Sequence, residues 1–127
     1  MTKNSCPCGS GSPYPECCAP LHSGDARATT AEQLMRSRFA AFAKNDAAYL
    51  LRSWHSTTRP RRLDLDPRTR WTRLEILNTT DGGPFHTTGT VEFRAHYREP
   101  GVAAEQVMQE NSTFAREDGA WVYMSGV

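Results

Sequence analysis

No stretch of the 127-residue chain strings together the roughly 18 apolar residues that a membrane-spanning helix needs. Charge of one sign is not in excess either: 15 Lys and Arg face 14 Asp and Glu, for a formal charge of +1. So close a balance gives nothing global to draw a membrane surface or a nucleic acid, and neither is expected as a partner. There is no internal repeat, no phosphate-cradling glycine loop, no dinucleotide fingerprint and no nucleophile–base pair at a recognisable spacing. Residues 1 to 5 are polar and no apolar run follows them, which speaks against a secretory signal. Beyond Cys18 there is no cysteine at all.

All four cysteines fall in the run Cys-Pro-Cys-Gly-Ser-Gly-Ser-Pro-Tyr-Pro-Glu-Cys-Cys, as the pairs Cys6/Cys8 and Cys17/Cys18. Two thiolate pairs pinned across a turn are what a tetrahedral zinc ion needs, and a site of four thiolates is closed, hence structural. The ion would also fold a knuckle too small to bury enough apolar surface alone. Disulfides are the rival reading, but they belong to secreted domains, and adjacent Cys17 and Cys18 could hardly bond each other without strain. Gly9 and Gly11 suit tight turning beside Cys8, with N–H groups aimed at sulfur. Four deprotonated thiols and one Zn²⁺ would change the net charge from +1 to about −1. His22, four residues past Cys18, is an alternative ligand in place of Cys17 or Cys18; otherwise it is an exposed loop histidine. Clustered cysteines without a leader point to a reducing cytoplasm.

The spacing Cys-x-Cys-x8-Cys-Cys, with its internal Gly-Ser-Gly and Tyr14, resembles the SEC-C motif, the zinc knuckle best known at the C-terminus of the SecA translocase. In that motif the last ligand is usually His; here Cys18 holds the place. Gly, Pro and Ser concentrate in the first 24 residues, so residues 1–24 are expected to form the knuckle and residues 25–127 one α+β body.

Thr29 is the candidate N-cap of a first helix, with Glu32 closing a capping box, and the helix should run to about Lys44. Ala31, Leu34, Met35, Phe39 and Phe42 recur at helical spacing as one buried stripe. Arg36 points away from the stripe. Arg38 falls inside it, where a guanidinium must find a carboxylate, carbonyls or a wet cavity, or else lay down its stem and reach solvent. A second helix is expected over Ala47 to His55, with His55 near its C-terminus, where the helix dipole favours it. Ser56 to Arg70 reads as a solvated loop with interleaved Arg and Asp.

From Trp71 the pattern turns to strands: Leu74 and Ile76 in the first, then Val91, Phe93, Ala95 and Tyr97 on one face of the second. Met108, Glu110, Ser112 and Phe114 share a face of the third, and Asp118-Gly119 makes a hairpin to a last strand holding Trp121 and Tyr123. Two helices before an antiparallel meander predict a curved sheet with helices on its concave face, enclosing a pocket. Arg38 and Glu110 are the polar anomalies that face it, and a structural salt bridge between them is expected.

Leu34-Met-Arg-Ser-Arg-Phe-Ala-Ala-Phe, Trp54-His55, Trp71 to Ile76 and Glu110-x-Ser-x-Phe are similar to the YchJ family of uncharacterised bacterial proteins over essentially the whole chain. The resemblance implies a nuclear transport factor 2-like cone and lends no established activity. That family usually has a histidine before the third-strand glutamate; here it is Gln109. Two functions are in play, and the sequence favours the first, with the second as its alternative. The knuckle, with structural Zn²⁺, could dock on a protein or ribosomal partner. Or the cone pocket could hold a small molecule among Arg38, Trp54, His55, Trp71, Glu110 and Tyr123, with or without catalysis.

Overall fold

A computed structural model describes residues 5–126, so the first four residues of the expected knuckle and Val127 lie outside the described residues. A 3-10 turn, Tyr14–Glu16, and a short helix α1, Ala19–Ser23, open the chain. Helices α2, Ala31–Ala43, and α3, Ala47–Arg52, follow. Strands β1, Arg70–Asp81, β2, Thr88–Arg98, β3, Gln106–Glu117, and β4, Ala120–Gly126, complete it. The sheet is an antiparallel meander in the order β1-β2-β3-β4, and the architecture is the expected α+β class. No helix among the described residues is long and apolar enough to cross a membrane.

The period-two pattern sets the register. Leu74 lies opposite Ala95, Phe93 opposite Glu110 and Phe114 opposite Tyr123, so the core residues of the main cluster share one face of the sheet, while Leu77 and Val107 are exposed. Irregularities between Trp71 and Arg73, between Ile76 and Asn78, and between Thr113 and Phe114 bend the strands. The resulting concave face receives α2: Leu34, Met35 and Phe39 pack against Leu74, Phe93 and Phe114. Each such side chain removed from water contributes roughly 1.5–3 kcal/mol, so this contact decides where the helix sits. The β1–β2 connection is closed by an unusually near approach: a Cβ at Gly89 would lie 2.5 Å from the Gly82 Cα.

Three expectations shift. The N-cap of α2 is Thr30, whose side chain accepts from the Gln33 N–H at 3.1 Å; Thr29 instead donates to Gln33 Oε1, and Glu32 pairs with Arg36. The box slides one residue because Thr30 is itself a good cap with a Gln three residues on. Helix α3 stops at Arg52, and His55 lies beyond it: Ser53–His55 leaves the helix to pair with β4, through Tyr123 N–H to Ser53 O at 2.9 Å and His55 N–H to Tyr123 O at 2.8 Å. And α2 is buried on more than one stripe. Ala40 packs among the cysteines and Ala41 against α1 and α3, beside Leu21, Tyr49 and Leu50.

Candidate metal centre and cone pocket

The chain from Ser5 to Ser23 doubles back on itself. Cys6 N–H bonds Ser12 O at 2.9 Å, and Gly9 and Gly11 take φ of +82° and +89°, the left-handed region that glycine adopts without strain. Gly9 N–H goes to the Cys6 carbonyl and not to sulfur. The folded turn brings the sulfurs of Cys6, Cys8, Cys17 and Cys18 within 4.8 Å of one another. All four thiols are free, which removes the disulfide reading. A tetrahedral ion with bonds of about 2.3 Å to sulfur requires sulfur–sulfur edges of about 3.8 Å. Cys8 and Cys17 stand 3.6 Å apart and Cys17 and Cys18 3.9 Å, so these two edges match that spacing.

The surroundings also suit thiolate. Hydrogen bonds from Cys18 and then Ser10 hold Cys8 well below an ordinary thiol, whereas burial pushes Cys6 up and the bond to Cys8 pushes Cys18 up. A divalent cation among the sulfurs would favour the ionised form of Cys6 and Cys18, against the burial and hydrogen bonding that push them up. Ser10 Oγ lies 3.1 Å from Cys17 Sγ. Arg36 donates from Nη1 to Cys8 O at 2.8 Å, and Lys44 sits over the Tyr14 ring at 4.1 Å.

His22 is neither an exposed loop residue nor placed to ligate. It lies in α1 and is half-buried, its ring tilted at 54° against that of Tyr49 with centres 4.6 Å apart. Its Nε2 donates to Ser37 O at 2.8 Å, which leaves Nδ1 to accept from the Tyr14 hydroxyl at 2.7 Å. The residue joins knuckle to body. No cue in the sequence linked it to Ser37, fifteen positions away on another helix.

Between α2 and the sheet lies a cavity of about 200 Å³ with mostly apolar walls. Arg38, Trp54, Trp71, Glu110 and Tyr123 all line it, as the sequence reading expected. His55 does not. It faces the opposite way, where its Nδ1 accepts from Thr57 Oγ1 at 2.8 Å and stands 3.8 Å from Glu117, itself bonded to Ser56. The reason is the early end of α3, which turns the side chain of Trp54 inward and that of its neighbour outward.

Arg38 is only 4% exposed. Its Nη1 donates to Leu50 O at 2.8 Å and to Ser53 Oγ at 2.7 Å, and the guanidinium carbon lies 4.5 Å from the Tyr123 ring centre and 5.1 Å from that of Trp54. The expected salt bridge does not form: among the described residues Arg38 has no ion pair, and Glu110 accepts from Ser112 Oγ at 2.9 Å instead. Burial pulls the guanidinium down to about 10, so it stays cationic at neutral pH. The Trp54 indole N–H is buried without a hydrogen-bond partner. Ser53 and Ser112, which fix the two charged groups, escaped the sequence reading, although Ser112 shares the Glu110 face by strand alternation.

A second polar cluster was missed on the outer face of the sheet. His96 is buried there, with Nε2 at 2.6 Å from Glu75 Oε1 and Nδ1 at 3.4 Å from Glu105 Oε1.

Residues 30–126 match the family described as YchJ, middle NTF2-like domain. A UPF0225 protein of Streptomyces coelicolor is 59% identical over 126 residues, covering 99% of this chain and 97% of its own. One from Corynebacterium glutamicum is 54% identical over 121 residues, covering 95% and 94%. Among solved structures, the solution structure of a SEC-C motif containing protein from Rhodopseudomonas palustris superimposes with a TM-score of 0.84 at 34% identity, covering 97% of both chains. A crystal structure of a SEC-C motif containing protein from Psychrobacter arcticus gives 0.80 at 26% identity, covering 97% of this chain and 81% of that one. The chain belongs to the YchJ-like UPF0225 family of SEC-C motif proteins.

Proposed function

We propose that the protein is a small-molecule-binding domain braced by a structural Zn²⁺. Cys6, Cys8, Cys17 and Cys18 would hold the ion. Four thiolates leave it no open position, so it would supply a cross-link and no chemistry on a substrate. Free thiols in such a site go with a reducing cytoplasm. The observation that carries the binding reading is Arg38: a buried cation with no carboxylate partner, on the wall of an apolar cavity. A buried charge with no ion-pair contact, its nearest carboxylate standing off on the same cavity wall at Glu110, is expensive, and binding sites are where proteins retain that expense. The test is native mass spectrometry before and after chelation, paired with NMR titration of small aromatic probes. One zinc per chain and probe-induced shifts at cavity residues support the reading. A metal-free chain, or shifts confined to the outer surface, count against it.

A protein partner is the second reading, and one observation favours it. Phe85 is 98% exposed on the β1–β2 connection. That connection is held firmly: Arg116 donates to Pro84 O at 2.7 Å and His86 O at 2.8 Å. A fixed, fully exposed aromatic is a suitable anchor for an interface. The other exposed large apolar residues, Leu77, Val102 and Val107, also lie on the body, so the knuckle has no such side chain among the described residues. Pull-downs with wild type, Phe85→Ser and Cys6→Ser/Cys8→Ser separate the sources. Loss of a partner with Phe85→Ser alone supports docking at the connection, and equal recovery with all three removes it.

A further inference from the structure

The cavity's polar groups are few and chemically distinct. Arg38 uses Nη1 on Leu50 and Ser53, and its other donors have no partner among the described residues. The Trp54 indole N–H lacks one too. Arg38 lines the cavity, so an acceptor, preferably a charged one, is what its free donors there call for. Glu110 supplies the reverse. Its carboxylate takes one hydrogen bond from Ser112 and retains acceptor capacity. The group is pressed against the end of β4, because a Cβ at Gly126 would collide with it.

The remaining walls are largely aromatic, including Phe39, Phe42, Trp71 and Phe93. Their rings meet edge to face or tilted, as Phe39 and Trp71 do at 6.0 Å. A dry cavity of about 150 Å³ holds benzene. About 200 Å³ therefore admits one ring with small substituents.

We propose that the cone pocket takes a single-ring aromatic acid bearing a hydroxyl or amino group, its carboxylate on Arg38 and its donor turned to Glu110. The assignment rests on the binding reading above and names the class of ligand for it. The acid neutralises the buried guanidinium and satisfies the donors around it. The ring replaces water against the aromatic walls. The substituent gives Glu110 a proton donor, without which a second carboxylate in the cavity would repel the first.

The test uses the full metal-loaded chain and four probes: 4-hydroxybenzoate, benzoate, 4-hydroxybenzamide and p-cresol, titrated by calorimetry and by NMR of the indole N–H signals. The expected order is 4-hydroxybenzoate first, about tenfold tighter than either the amide or benzoate. The Trp54 N–H signal should move with the acids. Arg38→Met should bind cresol as before and lose the preference for the acid; Arg38→Lys, which keeps the charge without the fork, should weaken it about tenfold. Glu110→Gln should narrow the gap between 4-hydroxybenzoate and benzoate. An amide or cresol that binds as tightly as the acid overturns the ligand class and leaves the pocket standing. Silence from all four probes at millimolar concentration overturns both.

Discussion

Arg36 Nη1 and the carbonyl oxygen of Cys8 meet at 2.8 Å, tying helix α2 to the turn that carries two of the four sulfurs. Two residues further along the same helix, Arg38 enters the cavity. The metal centre and the pocket thus hold opposite sides of one helix. Arg36→Ala should destabilise the protein by about 1.5 kcal/mol, the size of a partly buried charge-assisted bond. Urea unfolding checks it, and the loss should shrink when the metal has already been removed, because the turn is then no longer fixed.

Removing the metal should lower the melting temperature by on the order of 10 °C, since the ion binds the folded chain and not the unfolded one. Calorimetry with and without a chelator measures the difference. Cys8→Ser should reproduce most of it without chelator. The buried sulfur of Cys8 sits at the centre of the cluster.

Arg38→Met should leave the ligand-free protein as stable as wild type or stabilise it by about 1 kcal/mol. An apolar side chain removes the desolvation cost of an unpaired charge, and Ser53 Oγ still reaches Leu50 O at 3.3 Å. A loss of several kcal/mol in urea unfolding would instead make Arg38 a structural residue.

Acid should cost the fold stability through the outer face. The hydrogen bond from His96 holds Glu75 below the ordinary carboxylate range, and the bond from Thr72 does so for Glu105. Groups with depressed values stabilise the fold fully above the unfolded carboxylate value, near pH 4.5, and lose that contribution as pH falls through their folded values. Glu75→Gln together with Glu105→Gln should flatten the dependence of urea midpoint on pH below about pH 4.5, with little change in slope above pH 6.

Gly89→Ala should destabilise by about 1–3 kcal/mol, as overpacking does when the obstacle is backbone that cannot rotate aside. The added methyl would meet Gly82 Cα and N at 2.5 and 2.6 Å. Thermal melts of the variant check it.

The sheet was legible because a buried face writes itself as alternation: Val91, Phe93 and Ala95 are buried as that pattern requires. The sulfur cluster was legible from local spacing alone. Arg38 and Glu110 were visible as polar residues on apolar faces, but their partners were not. Ser53 reaches Arg38 from just past the end of α3, where helical periodicity stops, and alternation puts Ser112 on the Glu110 face without saying that the two bond. The role of His22, named as an alternative ligand, and the cluster around His96 were not legible, because Ser37 and Glu75, which hold them, lie more than ten positions away. The one-residue shift at Thr30 and the early end of α3 at Arg52 are tertiary effects, the second set by the pairing of Ser53 and His55 with Tyr123.

X-ray absorption at the zinc edge, on the purified full chain, addresses the centre of the account. Four sulfur neighbours at about 2.3 Å, with no nitrogen or oxygen, are the expected shell. A shell containing nitrogen or oxygen, or a chain whose sulfurs are found joined as disulfides with no bound zinc, would contradict it.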